Sequence, residues 1–242
     1  MTFDKNTNKD EQAYLLIKDK ILNLELLPQQ PVREIELSEM LSMSRTPIRA
    51  AIAKLISDGF VKEVSPKQNI VTEISVESFK DIYQMREALE NLCVSLAAFA
   101  WTNPDDLQAV FDTLHVLEKV ANEASVESRT FLKADRTFHY ELAKIAGNSL
   151  LTDQMMRIYD LYWRYNFYSL HANRAILVTK EHQEIAEAIK NRDRYQAKKA
   201  MKDHLLENKE HILVGLAKGF DPIHELKTLG KGYFMNINSI EK

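Results

Sequence analysis

Residues 36–61 read ELSEMLSMSRTPIRAAIAKLISDGFV, and the parsing of the whole chain turns on this stretch. Apolar residues over 35–41 predict a short helix, Leu41-Ser42-Met43 a tight connection, and Ser44 an N-cap with Pro47 in the first turn of a second helix. That second helix runs to about Asp58, where Gly59 suits a left-handed cap. At about 100° per residue, Ile48, Ala51, Ile52, Leu55 and Ile56 gather on one side. Arg45, Thr46, Arg49, Ala50 and Ala53 fill the adjacent arc. An arc of two arginines one turn apart, with small neighbours, suits a major groove: arginine gives bidentate contacts to guanine or charge-assisted contacts to phosphate, and small residues permit close approach. The same arc also suits an ordinary solvated helix face, and the flanking segments separate the two.

Upstream, residues 10–26 place Ala13, Leu16, Ile17, Ile21 and Leu24 at helical spacing, and Pro28 and Pro31 close the helix. Downstream, 60–64 and 69–74 are short β-like runs joined by Ser65-Pro66-Lys67-Gln68 at a hairpin tip. Helix, helix–turn–helix and two-stranded wing therefore make up residues 10–75. From Val76 the β signals stop, and helices are expected at 78–101, 104–122, 127–146, 149–171, 175–191 and 194–216. Each carries an apolar stripe, such as Ile82, Met85, Leu89, Leu92 and Leu96 in the first, so residues 76–218 are expected to form an all-helical antiparallel bundle. The fold class is mainly α, with an irregular tail over 219–242.

Composition narrows the function classes. Six Gly and six Pro in 242 residues fall well below the usual shares of roughly 7% and 5%, which argues against an all-β domain. The longest nearly apolar runs span about ten residues, too few to cross a bilayer, and the polar first residues lack the apolar core of a signal peptide. With Cys93 as the lone cysteine, no intramolecular disulfide forms. A cytoplasmic protein is expected. The net charge of −3 argues against a broadly basic nucleic-acid coat. Positive charge is local instead: residues 40–57 hold Arg45, Arg49 and Lys54 and no acid.

The 36–61 stretch closely resembles the winged helix–turn–helix of GntR-type transcriptional regulators, through Leu37, Ser44-Arg45-Thr46-Pro47, Arg49, Leu55 and Gly59. The resemblance implies that Ser44, Arg45, Thr46 and Arg49 face operator DNA and that the wing tip enters the minor groove, where Lys67 can meet a phosphate. Ala50 stands where the family has an acid, and the family's glycines before the recognition helix and in the wing are replaced within Leu41-Ser42-Met43 and Pro66-Lys67-Gln68-Asn69.

In the helical region, Asp135 and His139 stand four apart on one helical face, followed by His182 and His204 on helices whose neighbours fit a bundle core. Taken singly, each histidine is more often a surface or satisfied core residue, the class to which His115, His171, His211 and His224 are assigned. Three imidazoles and a carboxylate converging inside a bundle suit one divalent transition metal per chain: zinc, nickel, manganese or iron. Residues 78–216 look like the FCD effector domain of the FadR-type GntR subfamily, and the resemblance implies Asp135, His139, His182 and His204 as the ligands. It also points to Arg86, which either pairs with Glu90 at i+4 or clamps an effector carboxylate. Tyr162, Trp163 and Arg164 are further effector-pocket candidates. The expected function is a homodimeric, DNA-binding regulator whose operator affinity responds to a small, carboxylate-bearing metabolite at or near the metal. The alternative is a metal-dependent enzyme built on the bundle, although paired Glu-x-x-His and HExxH motifs are missing.

Overall fold

The computed structural model describes residues 8–66, 68–122, 128–168 and 172–217. Lys67, His171, His224 and the tail from 219 lie outside the described residues. The chain divides between Ile74 and Ser75 into two compact units.

In the first unit, α1 (Lys9–Leu22) starts at Asn8, whose side chain accepts from the Asp10 N–H. It buries Ala13, Tyr14, Ile17 and Ile21 and packs on the helix Arg45–Ser57. The helix stops at Leu22 rather than 26, because Leu24 adopts φ +57° and breaks the i→i−4 ladder. Leu24 and Leu26 are nevertheless only 1% and 3% exposed. Helical spacing there reported burial, and a loop delivers the same two side chains to the core.

β1 (Pro31–Val32) follows, then α2 (Glu34–Leu41), α3 (Arg45–Ser57), β2 (Val61–Ser65) and β3 (Gln68–Val71). The hairpin pairs Val61 with Val71 and Lys62 with Ile70. The sequence reading missed β1, which pairs antiparallel with β3 and gives a sheet of order β1-β3-β2. A two-residue strand has no period to detect, and Pro31 is tolerated because β1 is an edge strand. Ser42 turns the chain between α2 and α3 at φ +52°, and the Ser42 and Met43 N–H groups donate to Glu39 and Ser38 carbonyls. A serine thus takes the left-handed turn for which glycine is the least strained residue. Gly59 occupies the left-handed position after α3, at φ +84°.

The second unit contains α4 (Val76–Ala100), α5 (Asp105–Ala121), α6 (Ser128–Ile145), α7 (Ser149–Trp163), α8 (Ala172–Lys190) and α9 (Arg194–Ala217). Ser75 and Asn148 cap α4 and α7 by accepting from the Ser78 and Leu151 N–H groups. Helix α7 ends at Trp163, short of the expected 171, and tightens into a 3₁₀ turn, Arg164–Tyr168. Among the described residues no helix is long and apolar enough to cross a membrane.

Helix α4 packs against α6, α7, α8 and α9, yet its core-facing side is not the one expected. The buried side chains are Phe79, Tyr83, Arg86, Glu90, Cys93, Val94, Ser95, Ala97 and Ala98. Of the expected core stripe, Met85 and Leu92 are 51% and 46% exposed, and Phe99, which continues the stripe, is 60% exposed. Ile82, Leu89 and Leu96 on the same stripe are half-buried. On the inner face Phe79 and Tyr83 fill the N-terminal half, and the small residues from Cys93 to Ala98 let neighbouring helices approach the C-terminal half, while Met85, Leu92 and Phe99 face outward. Burial pushes the Cys93 thiol well above the ordinary range, which keeps it protonated.

Candidate metal centre and nucleic-acid interface

Helix α3 presents two distinct faces. Pro47, Ile48, Ala51, Ile52 and Leu55 are buried, whereas Ser44, Arg45, Thr46, Arg49, Ala50 and Ala53 are exposed. Ser44 takes the extended N-cap backbone, but its hydroxyl makes no capping bond. Glu34, at the start of α2, accepts from both Nε and Nη2 of Arg49 at 2.9 Å and lies 3.5 Å from Arg45 Nη2. The Arg49 guanidinium accordingly holds the Glu34 carboxyl below its ordinary value. Sequence reasoning did not foresee this fork, which bridges α2 and α3 across 15 residues.

In the helical unit, Asp135 and His139 lie one turn apart on α6, His182 lies on α8 and His204 on α9. Their ligating atoms all fall within 4.8 Å of one another, the order of spacing expected of ligands that share one ion through bonds of about 2.1 Å. The three imidazoles are fully buried and Asp135 is 5% exposed. His139 Nε2 and His182 Nε2 are 3.2 Å apart, and His182 Nε2 lies 3.5 Å from Asp135 Oδ1. His204 Nε2 is buried with no hydrogen-bond partner among the described residues. Burial pushes His182 well below the ordinary histidine pKa, and the neighbouring His204 and His139 add to that effect. Burial likewise lowers His204, against the opposing hydrogen bond from Glu181. Both rings are therefore neutral near pH 7 and offer lone pairs, as metal ligation requires. Phe138 stacks on His182 at 4.2 Å and fixes that ring. A buried polar atom without a partner, neutral imidazoles and one carboxylate make this set fit a divalent transition ion. His115 and His211 are exposed, in the ordinary surface class assigned to them.

Behind the ligands stand further residues: sequence reasoning named Arg86 and its i+4 partner Glu90 but passed over Arg174, Glu181 and Tyr159. His204 Nδ1 lies 2.8 Å from Glu181 Oε2, and Glu181 in turn accepts from Arg174 Nη1 and Nη2 at 2.5 and 3.1 Å. His139 Nδ1 and Glu90 Oε2 are 2.5 Å apart, without the alignment of a good N–H···O bond. Glu90 Oε1 accepts from Arg86 Nε at 2.5 Å. Burial raises the Glu90 pKa, but Arg86 and then His139 outweigh it and hold the group at about 2. Arg86 also donates to the Tyr159 hydroxyl and lies 4.6 and 4.1 Å from the Tyr159 and Tyr162 ring centroids. Trp163 and Arg164 follow Tyr162 in the chain and are buried, and Trp163 Nε1 has no acceptor among the described residues. The detectable signals were short-range: Glu181 precedes His182, and Arg174 stands two turns before Glu181 on one face of α8.

Residues 9–67 match the family described as bacterial regulatory proteins, gntR family, and residues 81–207 match the FCD domain. The chain belongs to the GntR family and carries an FCD domain. This GntR-family chain is 26% identical over 204 residues to the HTH-type transcriptional repressor RspR of Escherichia coli (strain K12), covering 84% of this chain and 88% of that protein. It is 27% identical over 218 residues to the uncharacterized HTH-type transcriptional regulator YdhC of Bacillus subtilis (strain 168), covering 89% and 96%. Its fold is that of E. coli McbR/YncC, with a TM-score of 0.73 at 18% identity over 89% of this chain and all of that one. The GntR-family chain is a transcriptional regulator, and the families and relatives it matches are regulators rather than enzymes.

Proposed function

We propose that this GntR-family regulator binds operator DNA as a homodimer and that a divalent transition metal and a small carboxylate metabolite, both bound in the helical unit, set its operator affinity. The observation that carries the reading is the convergence of three buried imidazoles, two of them held neutral by burial, and Asp135 on one point. Asp135, His139, His182 and His204 would hold the ion. When bound, the ion supplies a Lewis-acidic centre with positions open to a carboxylate oxygen. Of the effector candidates, Arg86 is held by Glu90 and Tyr159 and would meet a carboxylate only while keeping those partners, whereas Trp163 Nε1 is a buried donor in need of an acceptor. Arg164 is the third effector candidate, buried in the turn after α7. With Asp135 the one carboxylate among the four ligands, a divalent ion would leave the centre positively charged, which favours an anionic ligand.

For DNA, Ser44, Arg45, Thr46 and Arg49 form the reading face, with Arg49 reaching guanine or phosphate when DNA replaces Glu34 as its acceptor. Lys67 stands for the wing-tip phosphate contact. For dimerisation, Ile82, Met85, Leu89, Leu92, Leu96 and Phe99 repeat at alternating intervals of about 3 and 4 along α4, the heptad seam that a second copy of the same helix can match. Two copies would place their recognition helices in successive major grooves, about one helical turn apart. An effector lowers operator affinity only to the extent that it binds the DNA-free arrangement more tightly.

The test is the metal content of untagged wild type, purified without chelator, beside the His182→Ala/His204→Ala double variant. About one ion per chain in the wild type and little in the variant is expected, together with a rise in wild-type Tm on loading. No ion in either protein after incubation with zinc, nickel, manganese and iron(II) would sink the metal reading. Small carboxylates are then screened against the loaded protein for a Tm shift and for a change in binding to duplexes selected from a random pool.

A further inference from the structure

Two chains of side chains run into the histidine cluster: Arg86–Glu90–His139, between α4 and α6, and Arg174–Glu181–His204, between α8 and α9. In each, a buried arginine meets a glutamate, and the glutamate meets the Nδ1 side of a ring whose Nε2 belongs to the cluster. Arg86 and Arg174 are 1% and 5% exposed, so neither arginine is a surface accident. An arginine buried alone is costly, as is a buried carboxylate, and each removes the other's penalty.

We propose that the two Arg–Glu pairs are the outer holders of the metal centre, each glutamate fixing one ligand ring with Nδ1–H outward and Nε2 inward, and each arginine anchoring its glutamate. The inference rests on the metal reading above and adds what sets the affinity. A neutral imidazole has two tautomers, and only the one protonated on Nδ1 presents the Nε2 lone pair to an ion. A carboxylate at Nδ1 selects that tautomer and raises the basicity of the opposite nitrogen. Glu90 Oε2 and His139 Nδ1 are within bonding distance though not aligned as a hydrogen bond, and Glu181 and His204 are at bonding distance. The arginines also set the charge. With Glu90 and Glu181 each neutralised, Asp135 alone contributes net negative charge, so a divalent ion leaves the centre with about one positive charge and room for an anion. His182 has no such carboxylate: its Nδ1 lacks a partner among the described residues, and Phe138 holds the ring instead.

The test measures the zinc Kd by competition with a chromophoric chelator for wild type, Glu181→Gln and Glu90→Gln. Binding should weaken by about 10–100-fold in each variant with stoichiometry kept at one ion, and the visible bands of the cobalt(II)-loaded protein should shift. The Tm of chelator-treated Glu181→Gln should stay near that of wild type while its zinc-induced increment shrinks, a split that loss of packing alone would not produce. Glu181 is 21% exposed, so Glu181→Gln decides the matter if Glu90→Gln fails to fold. Wild-type Kd and cobalt bands in folded variants would overturn the inference and leave the metal reading intact. A wild type that binds no ion would overturn both.

Discussion

The two units of this regulator use arginine in opposite surroundings. On α3, Arg45 and Arg49 have side chains 59% and 70% exposed and lean on a surface glutamate. In the helical unit, Arg86, Arg164 and Arg174 are 1%, 2% and 5% exposed. An exposed guanidinium loses little when its partner changes, because water screens and replaces the ion pair, which is what the proposed exchange of Glu34 for a phosphate or a base requires. A buried one cannot exchange partners without exposing an uncompensated charge to a low dielectric. The head's arginines are thus available for contact, while Arg86 and Arg174 serve as fixtures around the cluster.

Substituting the fixtures should break the comparison most visibly. Arg86→Met leaves Glu90 buried without its cation and is expected to cost about 3–5 kcal/mol in denaturant unfolding; a loss under 1 kcal/mol would mean that Arg86 is no more structural than the exposed pair. Acid tests the same asymmetry. His182 and His204 have folded pKa values below the unfolded value of about 6.5. The unfolded chain therefore takes up protons that the folded chain refuses. In chelator, Tm should be steady above pH 7 and fall progressively as pH drops from 6.5 towards 5, whereas a flat Tm over that range would contradict buried neutral rings.

Leu92→Glu, on the outward face of α4, should leave the monomer folded and cost about 2 kcal/mol or more of dimerisation free energy, read by sedimentation. An unchanged association constant would place the dimer interface elsewhere. On the head, Arg49→Ala should weaken operator binding by roughly 1–3 kcal/mol if it reads a base, with folding stability unchanged within about 0.5 kcal/mol. The smallest effect belongs to Glu34→Ala, which releases both arginines and removes a negative charge beside DNA; operator binding should tighten by less than about 1 kcal/mol. Weaker binding would instead make Glu34 an organiser of the reading face.

Much of the head was legible because its signals are local. Ser44, Pro47 and Gly59 mark the limits of α3, and the period of Ile48, Ala51, Ile52 and Leu55 gives the face it buries. β1 and the early stop of α1 were not legible, since a two-residue strand lacks periodicity and Leu24 packs equally well from a loop. In the helical unit the cluster was legible from its spacing and its family resemblance. Its supporting side chains were legible only in part: the Arg86–Glu90 pair shows at i+4, but Glu181 reads as an ordinary helix-face acid, and neither glutamate points to a histidine until α6 and α9 bring His139 and His204 against them.

The sequence by itself determined the order of elements, the two faces of α3 and the Asp135/His139 pair, which depend on residue types and intervals within single helices, while His182 and His204, on two further helices, joined the set through the family resemblance. Only the tertiary structure decided which face of α4 enters the core. That helix has an apolar stripe of Ile82, Met85, Leu89, Leu92 and Leu96 and a second side that carries Phe79, Tyr83, Arg86, Glu90 and the small residues from Cys93 to Ala98, and helical period alone cannot rank them. Close packing of α6, α7, α8 and α9 selected the second side. The charges carried inside with it found their partners, and the large apolar stripe was left facing outward.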